Sequence, residues 1–393
     1  MVSIALKEKG DEGLKQGLLQ KVKKLRQELH QCPELSGCEK GTKEIIKKFL
    51  YSNTSVEIVD QGDWFYAIHR EDRANSRTSK YYDGSEDRIE SILFRADMDA
   101  IAGIDGGAYH GCGHDGHCSV VAGLAAALDG VRTGKNIYFL FQHGEETGVG
   151  AKECMKLIQK RKISRVYGFH NVPGFQKNQI LLIDGQFACA SKGITIRLHG
   201  HQSHAAYPED GVNPAYLIGQ LVTEIPKIRK QADYRGMVLS TIVHIEVGEK
   251  AFGISAGEGE ISLTLRAEYE ADLNLFEKRI MELVEQGCEE MGMSYEVSYV
   301  DTFPETANDH ELFEQALSIC WHKYDYQVLE VPMRWSEDFG WYAKAAKGLF
   351  VGIGDGEDWP GLHTLNYEFN DEILETAISF FADLAKDNGR YDG

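Results

Sequence analysis

ILFRADMD (92–99), SVVAGLAAAL (119–128) and IYFLFQHGEE (137–146) follow one another as an apolar run, a small-residue run and a second apolar run. Ile92-Leu93-Phe94 and Ile137 to Phe141 contain no polar alternation, as expected of strands buried on both faces. The run from Ser119 to Leu128 predicts a buried helix between them. Two more runs of the same kind, VYGF (166–169) and LFV (349–351), extend the series. Strands alternating with helices give an α/β class, with a mostly parallel, doubly wound sheet covered on both faces.

Upstream, Leu14, Leu18, Val22, Leu25 and Leu29, then Ile45, Ile46 and Phe49, recur at helical spacing. The break Cys32-Pro33-Glu34-Leu35-Ser36-Gly37 divides them into two amphipathic helices. Between Arg70 and Ser91 the chain is polar and has little to bury, which predicts a surface excursion. In the middle of the chain the pattern changes. GITIRLH (193–199) and EISLTLRAEY (260–269) alternate apolar and polar residues, the mark of a sheet with one wet face. The expected order is a strand at 193–199, a helix at 212–230, strands near 237–247 and 260–269, a helix at 272–291 and a strand at 294–300. That βαββαβ order is ferredoxin-like. Two domains follow: a discontinuous one, 1–189 with 301–393, and an inserted α+β unit, 190–300.

The 393 residues suit two or three domains at about 150 residues each. A hydrophobic fraction of 42% with 26% charged residues is that of a globular chain and excludes disordered and collagen-like classes. A formal charge of −19 disfavours phosphate backbones and anionic membranes as partners. A secretory leader is not expected, since Val2 to Leu6 runs straight into Lys7-Glu8-Lys9, and no stretch approaches about 20 uninterrupted apolar residues, so no membrane span is expected either. Eight scattered cysteines in a chain this long point to free thiols and a cytoplasmic setting.

The expected strands share one property: each is followed by, or ends in, metal donors. Asp97 and Asp99 follow 92–94, with Cys112, His114 and His117 soon after. Glu145 and Glu146 follow 137–141. His170 ends 166–169, and His363 follows 349–353. Ligands of open α/β sheets bind beyond the carboxyl ends of the strands, so these groups converge on one rim. Thiol, imidazole and carboxylate together form a transition-metal donor set rather than a magnesium or calcium one. Taken singly, Cys112-x-His114 has an equally good structural explanation, Glu145-Glu146 reads as a solvated pair, and His170 as a core histidine. His30, His69, His310 and His322 fit no pattern.

LRQELHQCPELS (25–36), LFRADMDAI (93–101), YHGCGHDGH (109–117), FQHGEETGVGA (141–151), HNVP (170–173), GHQSHAAYPEDGVNP (200–214), SEDF (336–339) and HT (363–364) occur in this order. Together they resemble the amidohydrolase branch of the aminoacylase/carboxypeptidase-G-like metallopeptidases, which includes hippurate hydrolases and auxin-conjugate hydrolases. The resemblance implies two divalent metal ions, zinc or manganese, held by Cys112, His114, Glu146, His170 and His363. It implies Glu145 as general base and His204 as a group that reaches the active site of a partner copy. It also implies a homodimer formed through the inserted lid, and an N-acyl amino acid or related small amide as substrate. Asp97 and Asp99 suit roles behind the metal ligands, and Arg266 matches the family's lid arginine. Glu337 and Asp338 of SEDF have either a supporting role or none. A dipeptidase or deacetylase would use the same site, and an inert metal-binding descendant would keep it. Two departures stand out: FQHGEE replaces the usual FQPAEE, making His143 an additional donor near the metals, and Phe252-Gly253-Ile254-Ser255 replaces an Asn-x-Ile-Pro lid segment.

Overall fold

The computed structural model describes residues 16–71, 89–103, 106–231 and 233–387. Leu14 and most of the polar excursion, 72–88, lie outside the described residues. The larger sheet has eight strands, in the order Glu57–Asp60, Phe65–His69, Asn136–Gln142, Ser91–Asp97, Arg165–Pro173, Lys347–Gly356, Ile180–Leu182 and Tyr326–Val328. Its four central strands are parallel to one another. The antiparallel hairpin Glu57–Asp60/Phe65–His69 lies at one edge, and Ile180–Leu182 runs antiparallel to its neighbour Lys347–Gly356.

Burial on both faces explains why the central strands carry unbroken apolar runs. Ile92 and Phe94, with Ile137, Phe139 and Phe141, pack against Val22, Val121, Leu124 and Phe381 of the helices Gln16–His30, His114–Ala127 and Leu374–Lys386. Leu93, Tyr138 and Leu140 point the other way, into a core with Leu157 and Ile158 of Gly150–Arg161 and with Phe339 and Tyr342. The buried helix expected from Ser119 starts five residues earlier, at His114. Its first turn is polar yet buried, so the apolar pattern does not announce it.

The second sheet is wholly antiparallel, in the order Val238–Val247, Glu258–Ala267, Ala190–His199, Ser294–Phe303. Numbered along the chain, this is second, third, first, fourth, the ferredoxin-like arrangement. The alternation in EISLTLRAEY sends Ile261, Leu263 and Leu265 inward beside Ile194, Ile196 and Leu198. They pack against Leu217, Leu221 and Ile225 of Ala215–Gln231 and Phe276, Ile280 and Val284 of Glu270–Met291. Each such side chain contributes about 1.5–3 kcal/mol on burial, so this sheet has a core of its own. The first of these helices begins at Ala215, where the Asn213 side chain accepts the Ala215 N–H at 2.9 Å. No helix among the described residues is long and apolar enough to cross a membrane.

Candidate metal centre

The CGHDGH segment turns from a loop into the helix His114–Ala127, and its glycines are dictated by space. Gly113 adopts φ +95°, and a Cβ there would lie 2.6 Å from the Asn171 side chain. A Cβ on Gly116 would meet the Phe369 ring at 2.1 Å. The turn sets Cys112 and His114 at the rim. The strand Asn136–Gln142 delivers Glu145 and Glu146 just beyond its end. His170 lies within Arg165–Pro173, paired in register with Gly352. His363 stands on a loop with φ +62°, its N–H bonded to the Gly111 carbonyl and its carbonyl to the Tyr109 hydroxyl, both at 2.8 Å.

These residues meet. Cys112 Sγ is 3.4 Å from His170 Nε2 and 3.4 Å from His363 Nε2. His114 Nε2 lies 3.8 Å from Glu146 Oε1 and 4.0 Å from Glu145 Oε2. Cys112, His114 and His170 form one group able to hold a metal ion, and Cys112, Glu146 and His363 form another. His114 with Glu145 and Glu146 makes a third combination. His114 Nε2 and Glu146 Oε1 are buried with no hydrogen-bond partner. Buried polar atoms are normally paired, so two orphans 3.8 Å apart fit a bound cation.

The electrostatics agree. Burial, and then the neighbouring Glu146, push the Cys112 thiol well above its usual range. Burial raises Glu146 to about 7. Glu145 is raised well above the carboxylate range by burial, then by Glu337, Glu146 and Asp338. Burial opposes charge on His114, yet Asp97 and Cys112 overcome it and raise the imidazole well above its ordinary value. A divalent cation would reverse the cost of gathering thiolate and carboxylate here, which is why such sites bind metal with release of protons.

A second ring of contacts orients the first. His114 Nδ1 is 2.8 Å from the Asp99 carbonyl, and His170 Nδ1 is 2.8 Å from the Asn171 carbonyl, so each ring turns its Nε2 to the cluster. Asp99 Oδ2 accepts from the Glu146 N–H at 2.9 Å and from Ser36 Oγ at 2.6 Å. Asp97 bonds His117 Nδ1 at 2.6 Å and Arg95 Nη1 at 2.7 Å. Arg95 is fully buried and also reaches Asp338 at 2.6 Å and Glu337 at 2.9 Å. Glu145 Oε1 accepts the Asp338 N–H at 3.3 Å. Asp97, Asp99, Glu337 and Asp338 thus all stand directly behind the cluster. The Trp335 ring lies 5.0 Å from that of His170.

His204 is exposed: Nδ1 accepts the Ala206 N–H at 3.0 Å, and the backbone bridges to Ile254 in the connection between the strands Val238–Val247 and Glu258–Ala267. Arg266 donates to Ser336 Oγ at 2.6 Å, tying the second sheet to the segment that carries Glu337. His143 turns aside, with Nε2 3.5 Å from Glu153, and joins none of the candidate metal groups among the described residues. His30 bonds Asp115 at 2.8 Å, His310 bonds Asp184 at 2.9 Å, and His322 is exposed. Sequence reading took His117 for a donor, where the structure bonds it to Asp97, and missed the parts played by Arg95 and Asn171.

The family model for peptidase family M20/M25/M40 matches residues 93–387. A protein of Synechocystis sp. named "probable hydrolase" is 27% identical over 388 residues, covering 93% of this chain and 95% of the relative. Among solved structures, a Bacillus subtilis protein described as a dinuclear metal binding peptidase of the M20 family superposes with a TM-score of 0.77 at 21% identity, covering 94% of this chain and 98% of that one. The aminobenzoyl-glutamate utilization protein of Klebsiella pneumoniae gives 0.68 at 16%, covering 95% and 98%. At these identities the solved structures speak for the fold. The family match spans three quarters of the sequence and includes all of the converging donors, and on that ground the chain belongs to peptidase family M20/M25/M40 and is a hydrolase.

Proposed function

We propose that the chain hydrolyses the amide bond of N-acyl amino acids, or of related small amide conjugates, at a pair of divalent ions, zinc or manganese. The observation that carries this reading is one thiol shared by two donor groups: Cys112 with His114 and His170, and Cys112 with Glu146 and His363. A thiolate common to two triads suits two neighbouring cations. His114 Nε2 and Glu146 Oε1, the orphaned atoms, belong one to each group. When bound, such ions supply Lewis-acid polarisation of the scissile carbonyl and lower the pKa of water toward neutrality.

The rest is the work of the chain. Glu145 is the group left beside the two triads, and it acts as general base: it takes a proton from the attacking water and passes it to the departing amine nitrogen. Burial and the adjacent Glu337 raise its proton affinity, which suits a group that must hold a proton between the two transfers. Asp97 and Asp99 hold the imidazoles in place. Arg266 stands on the substrate side, over the Ser336 to Asp338 segment. Residues 190–300 form a lid through which two copies pair, and the exposed His204 donates to the substrate carbonyl oxygen in the neighbouring copy. The Klebsiella neighbour's name refers to aminobenzoyl-glutamate, itself an amide of an amino acid, which supports this substrate class.

The test is to chelate the purified protein, reload it with zinc or with manganese, and assay N-acetyl, N-benzoyl and N-(4-aminobenzoyl) amino acids. Hydrolysis of at least one class with about two metal equivalents per chain is expected. Absence of hydrolysis across the panel by fully loaded protein overturns the reading.

A further inference from the structure

The segment Pro33 to Glu39 closes the first helix pair, and nothing in the metal cluster accounts for it. Glu34 accepts from Gly41 and Thr42 of the second helix, and the remaining contacts run toward Asp99, Ala100 and the loop of the glutamate pair. The Glu34 carbonyl accepts the Ala100 N–H at 2.8 Å, and Leu35 bridges to Ala100. Ser36 Oγ donates to Asp99 Oδ2 at 2.6 Å, the same oxygen that accepts the Glu146 N–H. Glu39 Oε1 accepts the Gly144 N–H at 2.8 Å. Glu39 is only 4% exposed although it is the N-cap residue of Lys40–Asn53, a place where carboxylates ordinarily stand in water.

Gly144 is the hinge of the glutamate segment. It adopts φ +57°, and its carbonyl accepts the N–H groups of Val149 and Gly150, at 3.3 and 3.2 Å. The loop that carries Glu145 therefore closes on itself, and its backbone is fastened outward at two points. Asp99 holds the N–H after Glu145, and Glu39 holds the N–H before it. Two carboxylates from separate segments gripping alternate amides fix the direction in which the side chain between them leaves the backbone.

We propose that Glu39 is a positioning residue for Glu145: its carboxylate holds the Gly144 amide, and so aims the general base at the scissile bond. The inference rests on the amidohydrolase reading above and extends it to a residue outside the metal cluster. The ground is geometric. Catalytic groups misplaced by about 1 Å can cost on the order of 10²-fold in rate, and the hydrogen bond that the Glu145 carboxylate makes among the described residues, to the Asp338 N–H, is long at 3.3 Å. Burial also raises the proton affinity of Glu39, so keeping a carboxylate in this place has a cost that a surface cap would not have.

Two substitutions separate reach from charge in the metal-loaded, full-length protein. E39D keeps the charge but withdraws the acceptor by one methylene. E39Q gives up the charge but keeps an oxygen within reach of the Gly144 amide. E39D should lower kcat about tenfold, with KM and metal content unchanged, whereas E39Q should stay within about threefold of the native kcat. The inference is overturned by native kcat in E39D, by equal losses in the two variants, or by a loss of metal that accounts for the loss of rate. E145Q, assayed alongside, keeps the two readings apart. If E145Q retains native activity the amidohydrolase reading itself fails. If E145Q is inactive and E39D is not, only the role given to Glu39 fails.

Discussion

On the face of the four-stranded sheet turned away from the helices, the pair Arg197–Glu260 stands partly in solvent, whereas at the rim of the eight-stranded sheet charges are driven inside and packed together. Arg197 and Arg95 show the difference between the two regions. Arg197 Nε meets Glu260 at 2.8 Å with half of its side chain in solvent. Arg95 has no exposure to speak of and is surrounded by Asp97, Glu337 and Asp338. Burial alone would weaken its charge, yet these carboxylates hold the guanidinium well above its ordinary pKa. A surface pair of the first kind adds little to stability. A buried cluster of the second kind is no cheaper than a well-packed apolar core, so its presence calls for another reason. Here the reason is adjacent: the same carboxylates stand behind His114 and Glu145. The second sheet illustrates how a chain folds, and the rim illustrates what the stability of the fold supports.

The sharpest way to break this contrast is at Glu145. E145Q should lower kcat by about 10²–10⁴, the usual worth of a general base, while the metal content stays at the native level. A small loss of rate, or a large loss of metal, would place Glu145 among the structural carboxylates instead. Next comes Arg95→Met. Removing one partner from a buried ion cluster leaves uncompensated charge and costs about 3–5 kcal/mol, to be read from the urea midpoint of the metal-loaded protein. A loss below about 1 kcal/mol would make the cluster no different from the exposed pair at Arg197.

Proton linkage gives a third, somewhat smaller effect. In the metal-free protein Glu146 is raised to about 7, above the 4.5 usual for glutamate. Between those values the native state holds a proton that the unfolded state has released, so stability falls as pH rises through this window. The span is of order 3 kcal/mol. A cation on Glu146 keeps the carboxylate ionised and removes this dependence. The gap between loaded and chelated protein in thermal melts should therefore widen from about pH 5 to about pH 7 by the Glu146 contribution, beyond which the Cys112 thiol, still to be deprotonated, continues the trend. A gap that stays constant over this range would show that Glu146 does not share its proton site with a metal.

Legibility followed the same divide. The second sheet was readable in number, order and facing, with strand ends two or three residues off in places, because strict alternation places Ile261, Leu263 and Leu265 on one face. The central strands were equally clear from runs such as Ile137 to Phe141. The hairpin Glu57–Asp60/Phe65–His69 and the three-residue strands Ile180–Leu182 and Tyr326–Val328 were not, since strands this short have no period to read. At the rim, donors could be picked out by type, and Cys112, His114, Glu146, His170 and His363 do converge. What holds them could not. Glu39, Arg95 and Asn171 lie far from those donors in sequence or look like ordinary strand-end polarity, and only tertiary packing makes them neighbours. The helix beginning at His114 was read late because its first turn buries His114, Asp115 and His117, polar residues in places where the pattern calls for apolar ones.

The smallest effect tests the bland half of the comparison. On the second sheet Arg197 and Glu260 face each other across neighbouring strands, in register, with the Thr195 and Ser262 hydroxyls 2.9 Å apart one pair along. A double-mutant cycle with Arg197→Ala and Glu260→Ala should give a coupling of about 0.2–1 kcal/mol, shrinking further in molar salt. Both side chains hold much of their hydration in the native state, so there is little desolvation to recover and little attraction to lose. The kcat of the same variants should be unaffected, because neither residue touches the rim. A coupling as large as that expected at Arg95 would mean that this sheet, too, keeps its charges for more than solubility, and the division between the two regions would have to be redrawn.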